Sequence, residues 1–337
     1  MPFIDDILQH KSLSIVGMEK NTGKTECLNY VLDRLKGSGK QLAITSIGID
    51  GESVDQVTLT QKPEIELCEN MLFITSEKHY KQRRLTSEVL NISERGTSLG
   101  RLVTARALST GKVILSGPTD TSWLKSCIQQ MAQLGVDLTI IDGALSRKSL
   151  GSPAITECMI LNTGAAVSSH FATLIKKTQF VHQLIQIPAF ESPSIPQLTD
   201  IEQGLWAIDE NHRIHNLEIP SVFLLEQHKD QLFKHGYTIY APGAIGDKLL
   251  DFLRVQKHCN KTVLVVKDYT RLFVSKDSYL AFLKKGGILK VLLKTKLIAV
   301  CVNPTSPTGF AFNSEEICQK MSETLGIPVY DVRKIGG

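Results

Sequence analysis

The stretch Leu13-Ser14-Ile15-Val16-Gly17-Met18-Glu19-Lys20-Asn21-Thr22-Gly23-Lys24-Thr25 decides how the rest of the chain is read. A run of apolar and small residues ends in a glycine, a polar loop follows, and Gly23-Lys24-Thr25 opens the next element. Strand, loop and helix in that order predict a phosphate-binding loop, because backbone N–H groups and a helix N-terminus then converge on one anion. In such a loop Lys24 reaches the β- and γ-phosphates and the Thr25 hydroxyl sits on Mg²⁺. Gly17, Asn21, Thr22, Gly23, Lys24, Thr25 and Glu26 are the expected nucleotide contacts. The helix is supported by Cys27, Leu28, Val31, Leu32 and Leu35, which share one face and stop at Lys36-Gly37. Five residues lie between Gly17 and Gly23, one more than usual, and Met18 occupies the place of the first glycine. The alternative is a helix-opening turn that contains Gly-Lys-Thr by chance.

A Mg²⁺–nucleotide site also needs a carboxylate at the end of a neighbouring strand, since the metal bridges phosphate oxygens and is held partly through water. Two positions qualify. Asp142 follows Leu138-Thr139-Ile140-Ile141 and precedes Gly143, and Asp50, with Gly51 and Glu52, follows the apolar run ending at Ile47. The expected catalytic set is therefore Lys24, Asp50 and Asp142, and the metal set Thr25, Asp142 and Asp50. Each aspartate also fits a plain Asx turn before glycine. No Asn-Lys-x-Asp motif occurs, so guanine specificity lacks its signature and ATP is the expected nucleotide. Asn303, at the end of Leu297–Val302, reads as a turn asparagine within reach of an adenine edge. Arg95, Arg101 and Arg106 read as helix-surface charges rather than cleft residues.

Composition narrows the class. A chain of 337 residues with 42% hydrophobic and 21% charged residues is an ordinary globular composition, long enough for about two domains. The net charge of +4 is small and no Lys/Arg block forms a tail, so no nucleic-acid partner is expected. Seven cysteines are scattered with no CxxC pair, which points to small core residues rather than zinc or a disulfide framework. No signal peptide and no apolar run of membrane-spanning length is evident, so a cytoplasmic protein without a membrane partner is expected.

The first half alternates strands and helices: Leu42–Ile47, Lys112–Ser116, Leu138–Ile141 and Met159–Leu161 read as strands, with a helix through Trp123, Cys127 and Met131. The fold class is α/β, Rossmann-like, with a mainly parallel sheet. Pro188, Pro193 and Pro196 mark a boundary, giving a nucleotide-binding domain over 1–188 and a C-terminal α/β region over 189–337. Whether that region adds strands to the first sheet or builds its own is left open by the pattern.

Gly17–Thr25 resembles the G-T-x-T-x-V-G-K-T loop of dethiobiotin synthetase and the related cobyrinic acid amidating enzymes, with the same longer spacing. Asp142-Gly143-Ala144 is similar to the acidic-Gly-Ala motif of that group. The resemblance covers residues 11–165 and implies a P-loop fold of the kind shared with nitrogenase iron protein and MinD. Met18 and Lys20 replace the first two threonines of the family loop, and Leu145-Ser146 replaces its following Gly-Gly. Lys20 lies one residue from the place where one branch carries a lysine that reaches a neighbouring subunit, so a homodimer is left open. The loop taken with Thr97-Ser98-Leu99-Gly100-Arg101, Asp142-Gly143-Ala144 and Val302–Pro307 resembles the P-loop accessory proteins encoded with lysine 5,6-aminomutase, subunits of its reactivating factor. That resemblance implies an ATP-driven protein with an adenosylcobalamin-dependent aminomutase as partner. The alternatives are an ATP-dependent small-molecule ligase and a module that binds nucleotide without turnover.

Overall fold

The computed structural model describes residues 2–47, 64–144, 152, 155–219, 225–226 and 228–336. In chain order the first elements are α1 (Ile4–Ile7), β1 (Ser12–Gly17), α2 (Lys24–Leu35), β2 (Leu42–Ser46), β3 (Ile65–Leu67), β4 (Leu72–Ser76) and α3 (Glu77–Lys81). They are followed by β5 (Ser87–Thr97), β6 (Gly100–Ala107), β7 (Gly111–Val113), α4 (Thr121–Gln133), β8 (Leu138–Ala144), β9 (Cys158–Gly164) and α5 (Phe171–Ile185). The described residues group into two compact units. Unit 1 comprises residues 1–151, 155–177 and 296–337, and unit 2 comprises 152–154 and 178–295.

Unit 1 is built on a nine-stranded sheet. From one edge the order is Val329–Tyr330, Lys296–Asn303, β9, β1, β8, β2, β4, β6, β5. All neighbours are parallel except β4–β6 and β6–β5, which are antiparallel. Every residue of β1 is buried, as expected of a central strand with both faces covered. The chain leaves β1 toward β2 on one side, whereas it leaves β9 toward Lys296–Asn303 on the other. The connections diverge at the carboxyl ends of these strands, the place where open α/β sheets form a crevice. Helix α2 buries Cys27, Leu28, Val31, Leu32 and Leu35 in the same cluster as Leu13, Ile15, Ile44 and Ile160. Each such aliphatic side chain stabilises the fold by about 1.5–3 kcal/mol on burial.

Two stretches differ from the sequence reading. Residues 112–116 are not a strand of the main sheet: Gly111–Val113 pairs antiparallel with β3 in a separate two-stranded piece. The β5–β6 hairpin was invisible in the pattern because β5 is exposed or half-buried along its length and shows no apolar alternation. Thr97 and Gly100 pair across its tip, and Gly100 sits in the left-handed region at φ 91°. Arg95, Arg101 and Arg106 lie on this hairpin rather than on a helix. Each has a carboxylate partner, Asp120 at 2.8 Å, Glu77 at 3.0 Å and Glu88 at 3.7 Å respectively.

Unit 2 has a five-stranded sheet in the order Ile214–Asn216, Trp206–Ile208, Thr238–Ala241, Val263–Val266, Ile288–Val291. The first two pairings are antiparallel and the last two parallel. Helices Asp247–Arg254 and Lys276–Lys284 contribute Leu249, Leu250, Leu253 and Phe282 as fully buried side chains. The single boundary near residue 188 therefore gives way to a chain that leaves unit 1 within α5 and returns to it at Lys296. The physical reason is that Leu297–Val302 is an apolar strand like any other, and its choice of sheet is a long-range pairing with β9. No described helix is long and apolar enough to cross a membrane.

Candidate functional site

Gly17 ends β1, and the chain turns through residues 18–23 into α2, which begins at Lys24. The turn requires two left-handed residues, Asn21 at φ 60° and Gly23 at φ 85°. Both residue types suit that conformation, glycine without steric cost and asparagine through its short polar side chain. Gly17 is needed for another reason. A Cβ there would lie 2.5 Å from Thr22 Oγ1 and 2.8 Å from Cγ and Cδ of Lys24. The Lys24 stem is thus folded back against the end of β1. Thr22, almost fully buried, donates its hydroxyl to Glu19 O at 2.9 Å and closes the loop on itself.

Two asparagines brace the loop from the neighbouring strands. Asn162 of β9 accepts from Met18 N at 2.8 Å through its carbonyl, and its side-chain amide donates to Val16 O. Asn303 donates from Nδ2 to Asn21 O at 3.0 Å, and its Cβ lies 3.0 Å from where a Cβ on Gly23 would be. Asn303 Oδ1 also accepts from Thr305 N. Its side chain is therefore committed to the turn and the loop. Because the first-turn amides of α2 lack partners one turn earlier, the loop presents N–H donors at the positive end of the helix dipole. Lys24 makes no ion pair with any described carboxylate.

Across the strand pair, Asp142 is level with Ile15 on β1 and Ser46 on β2, with Gly143 opposite Val16 and Ala144 opposite Gly17. The strand runs two residues beyond Asp142, so the carboxylate stands on the strand rather than after it. Its Oδ1 is buried and has no hydrogen-bond partner. Leaving a buried carboxylate oxygen unpaired costs about 1–3 kcal/mol or more, so in native proteins it calls for an explanation such as an ion, water or ligand. Thr25 is half-buried one residue into α2. The structure thus brings Gly17, Asn21, Thr22, Gly23, Lys24 and Thr25 together on one loop and helix start, with Asp142 on the adjacent strand.

Glu26 is directed elsewhere. Its carboxylate pairs with Arg333 Nη2 at 2.7 Å, and that pairing raises the Arg333 pKa above its ordinary value. Thr22, Gly23, Asn303, Asp331 and Arg333 line a small crevice beside it. Asp50, with Glu52, lies outside the described residues. Among the described residues, no group of three or more His, Cys, Asp or Glu side chains is arranged to hold a metal.

Sequence reasoning missed the bracing role of Asn162, which stands in Leu161-Asn162-Thr163-Gly164 with no motif to single it out. Asp120 caps α4. That carboxylate accepts from Trp123 N and Ser122 Oγ and pairs with Arg95, whose guanidinium lies 4.4 Å over the Trp123 ring. The Ser122 hydroxyl, the Trp123 N–H and Arg95 together hold the Asp120 pKa down at about 2. Five of the seven cysteines are buried and all seven are free thiols. Burial raises Cys127 to about 11 and Cys158 to about 12.

No protein-family model matches this chain, and neither a curated protein nor a solved structure matches it.

Proposed function

We propose that unit 1 is a Rossmann-like P-loop nucleotide-binding fold that takes Mg-ATP at Gly17–Thr25 and hydrolyses it slowly. We further propose that the chain acts as an accessory or reactivating factor for a partner enzyme, an adenosylcobalamin-dependent aminomutase. The single observation that carries the nucleotide reading is the juxtaposition of Lys24, which has no ion-pair partner among the described residues, on the loop with an orphaned, buried Asp142 oxygen on the adjacent strand. The partner reading rests on the motif resemblance of the loop, the Thr97–Arg101 segment and the Val302–Pro307 segment.

The donor set fits a hard dication. The Thr25 hydroxyl and the free Asp142 oxygen are both oxygen donors that would hold Mg²⁺, a cation that takes oxygen ligands and retains water. When bound, the metal draws charge off the phosphate oxygens. The chain's own contribution is positioning and charge. Lys24 holds the terminal phosphates through its ammonium, and the α2 amides face the same anion without needing to reorganise. Asn162 and Asn303 keep the loop backbone in the conformation that aims those amides. Asp50 is proposed from the sequence to lie near the attacking water.

Calorimetry with ATP tests the reading, with and without Mg²⁺. Binding tightened by Mg²⁺ and low basal ADP release are expected, and no heat at millimolar ATP would overturn it. Turnover that rises with an aminomutase present supports the accessory role. ADP formed only with a small carboxylate or amine substrate would replace that role with ligase chemistry.

A further inference from the structure

Unit 2 carries a cavity of about 500 Å³ at the end where helices Asp247–Arg254 and Lys276–Lys284 both finish. Its wall includes Arg254, Val255, Lys257, Cys259, Asn260 and Lys285. Three cations line it, and no carboxylate among the described residues does. Some basic side chains elsewhere are paired, among them Arg84 with Glu64, Arg95 with Asp120, Arg101 with Glu77, Lys36 with Asp33, Lys320 with Glu323 and Lys334 with Glu315. Lys257 and Lys285 have no ion-pair partner among the described residues. Arg254 reaches Asp251 at 3.2 Å with one end of its guanidinium, while its Nε is buried with no partner.

Basic residues at helix C-termini ordinarily balance the helix dipole, which amounts to about half a negative charge per helix. Two helix ends therefore account for about one positive charge, and the cavity holds three less the share taken by Asp251. A net positive, concave site remains. Its size lies in the range of small-molecule pockets, about 300–1,000 Å³. Val255 forms part of the wall and is 72% exposed, the most exposed large hydrophobic side chain described. An apolar wall beside converging cations suits an organic molecule carrying an anionic handle.

We propose that this cavity binds a small organic molecule through a phosphomonoester or diphosphate group held by Arg254, Lys257 and Lys285. The Asn260 amide and the Val255 side chain contact the rest of the ligand.

The test uses the full chain carrying Lys24→Ala, so that the Gly17–Thr25 loop does not compete, and pyrophosphate as the probe of the anionic handle. Calorimetry is expected to retain one site of millimolar or better affinity. Acetylation followed by peptide mass spectrometry should find Lys257 and Lys285 protected by pyrophosphate while the carboxylate-paired Lys36 and Lys320 are not. Adding Lys257→Glu and Lys285→Glu, both at exposed positions, should weaken binding about tenfold or more per lysine, as for loss of a charge-assisted contact. Loss of all pyrophosphate binding with Lys24→Ala alone overturns the proposal while supporting the loop as the only anion site. Equal protection by chloride at matched ionic strength also overturns it, because screening would then account for the effect. Protection by a hexaglutamate peptide but not by pyrophosphate would replace the small molecule with an acidic protein segment.

Discussion

Asp142 in unit 1 and Asp268 in unit 2 both stand at or near the carboxyl end of a central parallel strand, with opposite fates. Asp268 is almost fully buried and both its oxygens are used: Oδ1 accepts from Thr270 N and from the Thr270 hydroxyl, and Oδ2 accepts from Ser152 Oγ. Asp142 keeps a buried oxygen without any partner. The lysines differ in the same way. Lys267, before Asp268, is mostly buried and faces Glu202 at 3.6 Å, whereas Lys24 has no described carboxylate. A strand-end acid beside a lysine is therefore not enough to make a site. What separates the two regions is whether the surrounding chain consumes the side chain's hydrogen bonds or withholds them.

The sharpest way to break that comparison is to remove the two lysines separately. Lys24→Ala is expected to abolish measurable Mg-ATP binding by calorimetry while leaving far-UV circular dichroism unchanged, because the proposed charge-assisted phosphate contact of a half-buried loop lysine is lost. Lys267→Ala should leave ATP affinity unaltered. Equal affinities for the two variants would remove the distinction between the regions.

The aspartates form the next pair. Asp142→Asn should lower ATP turnover by about a hundredfold and ATP affinity by less than about tenfold, since an amide replaces the carboxylate proposed to hold the metal. Asp268→Asn should leave turnover intact and instead lower thermal stability by about 1–3 kcal/mol, as a satisfied buried carboxylate network is broken. Turnover lost equally in both would mean that the free oxygen of Asp142 carries no special role.

The braces sharpen the comparison further. Asn303→Ala removes one hydrogen bond to the loop, which contributes about 0.5–1.5 kcal/mol, and should weaken ATP binding several-fold by letting Asn21 and Gly23 move. A melting-temperature loss with unchanged affinity would make Asn303 a strand-end cap only.

The smallest effect concerns acid stability. Asp120 caps α4, and its pKa is held down to about 2 in the folded chain. Against an unfolded value of about 3.9, its stabilising contribution is complete above that value and is lost as pH falls toward 2. Asp120→Ala should cost about 1 kcal/mol near neutral pH, the usual worth of an N-cap, and should flatten stability between about pH 4 and pH 2. Urea midpoints measured across that window check it.

Much of unit 1 was legible because its signals are local. The apolar run Leu13–Val16, the helix face from Cys27 to Leu35 and the strands ending at Ser46 and Gly164 all show in the one-dimensional pattern. The hairpin of β5 and β6 was not legible. An edge strand has one pairing partner and little buried face, so Ser87–Thr97 carries no alternation to read. Of the Lys112–Ser116 stretch only Lys112 and Val113 are strand, and they pair with β3 outside the main sheet. Val113, Leu115 and Ser116 are buried by packing around the segment, and burial alone does not require a place in the sheet.

The candidate site divides along the same line. By itself the sequence determined where glycine must occur in the Gly17–Gly23 turn, that a helix follows it, and that Asp142 lies on an apolar strand. These depend on backbone sterics and on residues a few positions apart. Only the tertiary structure decided that β1 lies between β8 and β9, that Asn162 and Asn303 support the loop, that Glu26 turns to Arg333, and that Lys296–Asn303 rejoins the first sheet. Those outcomes are pairings between residues separated by about a hundred positions or more. Their selection depends on which surfaces are left to bury once the local elements exist, and no local pattern encodes it.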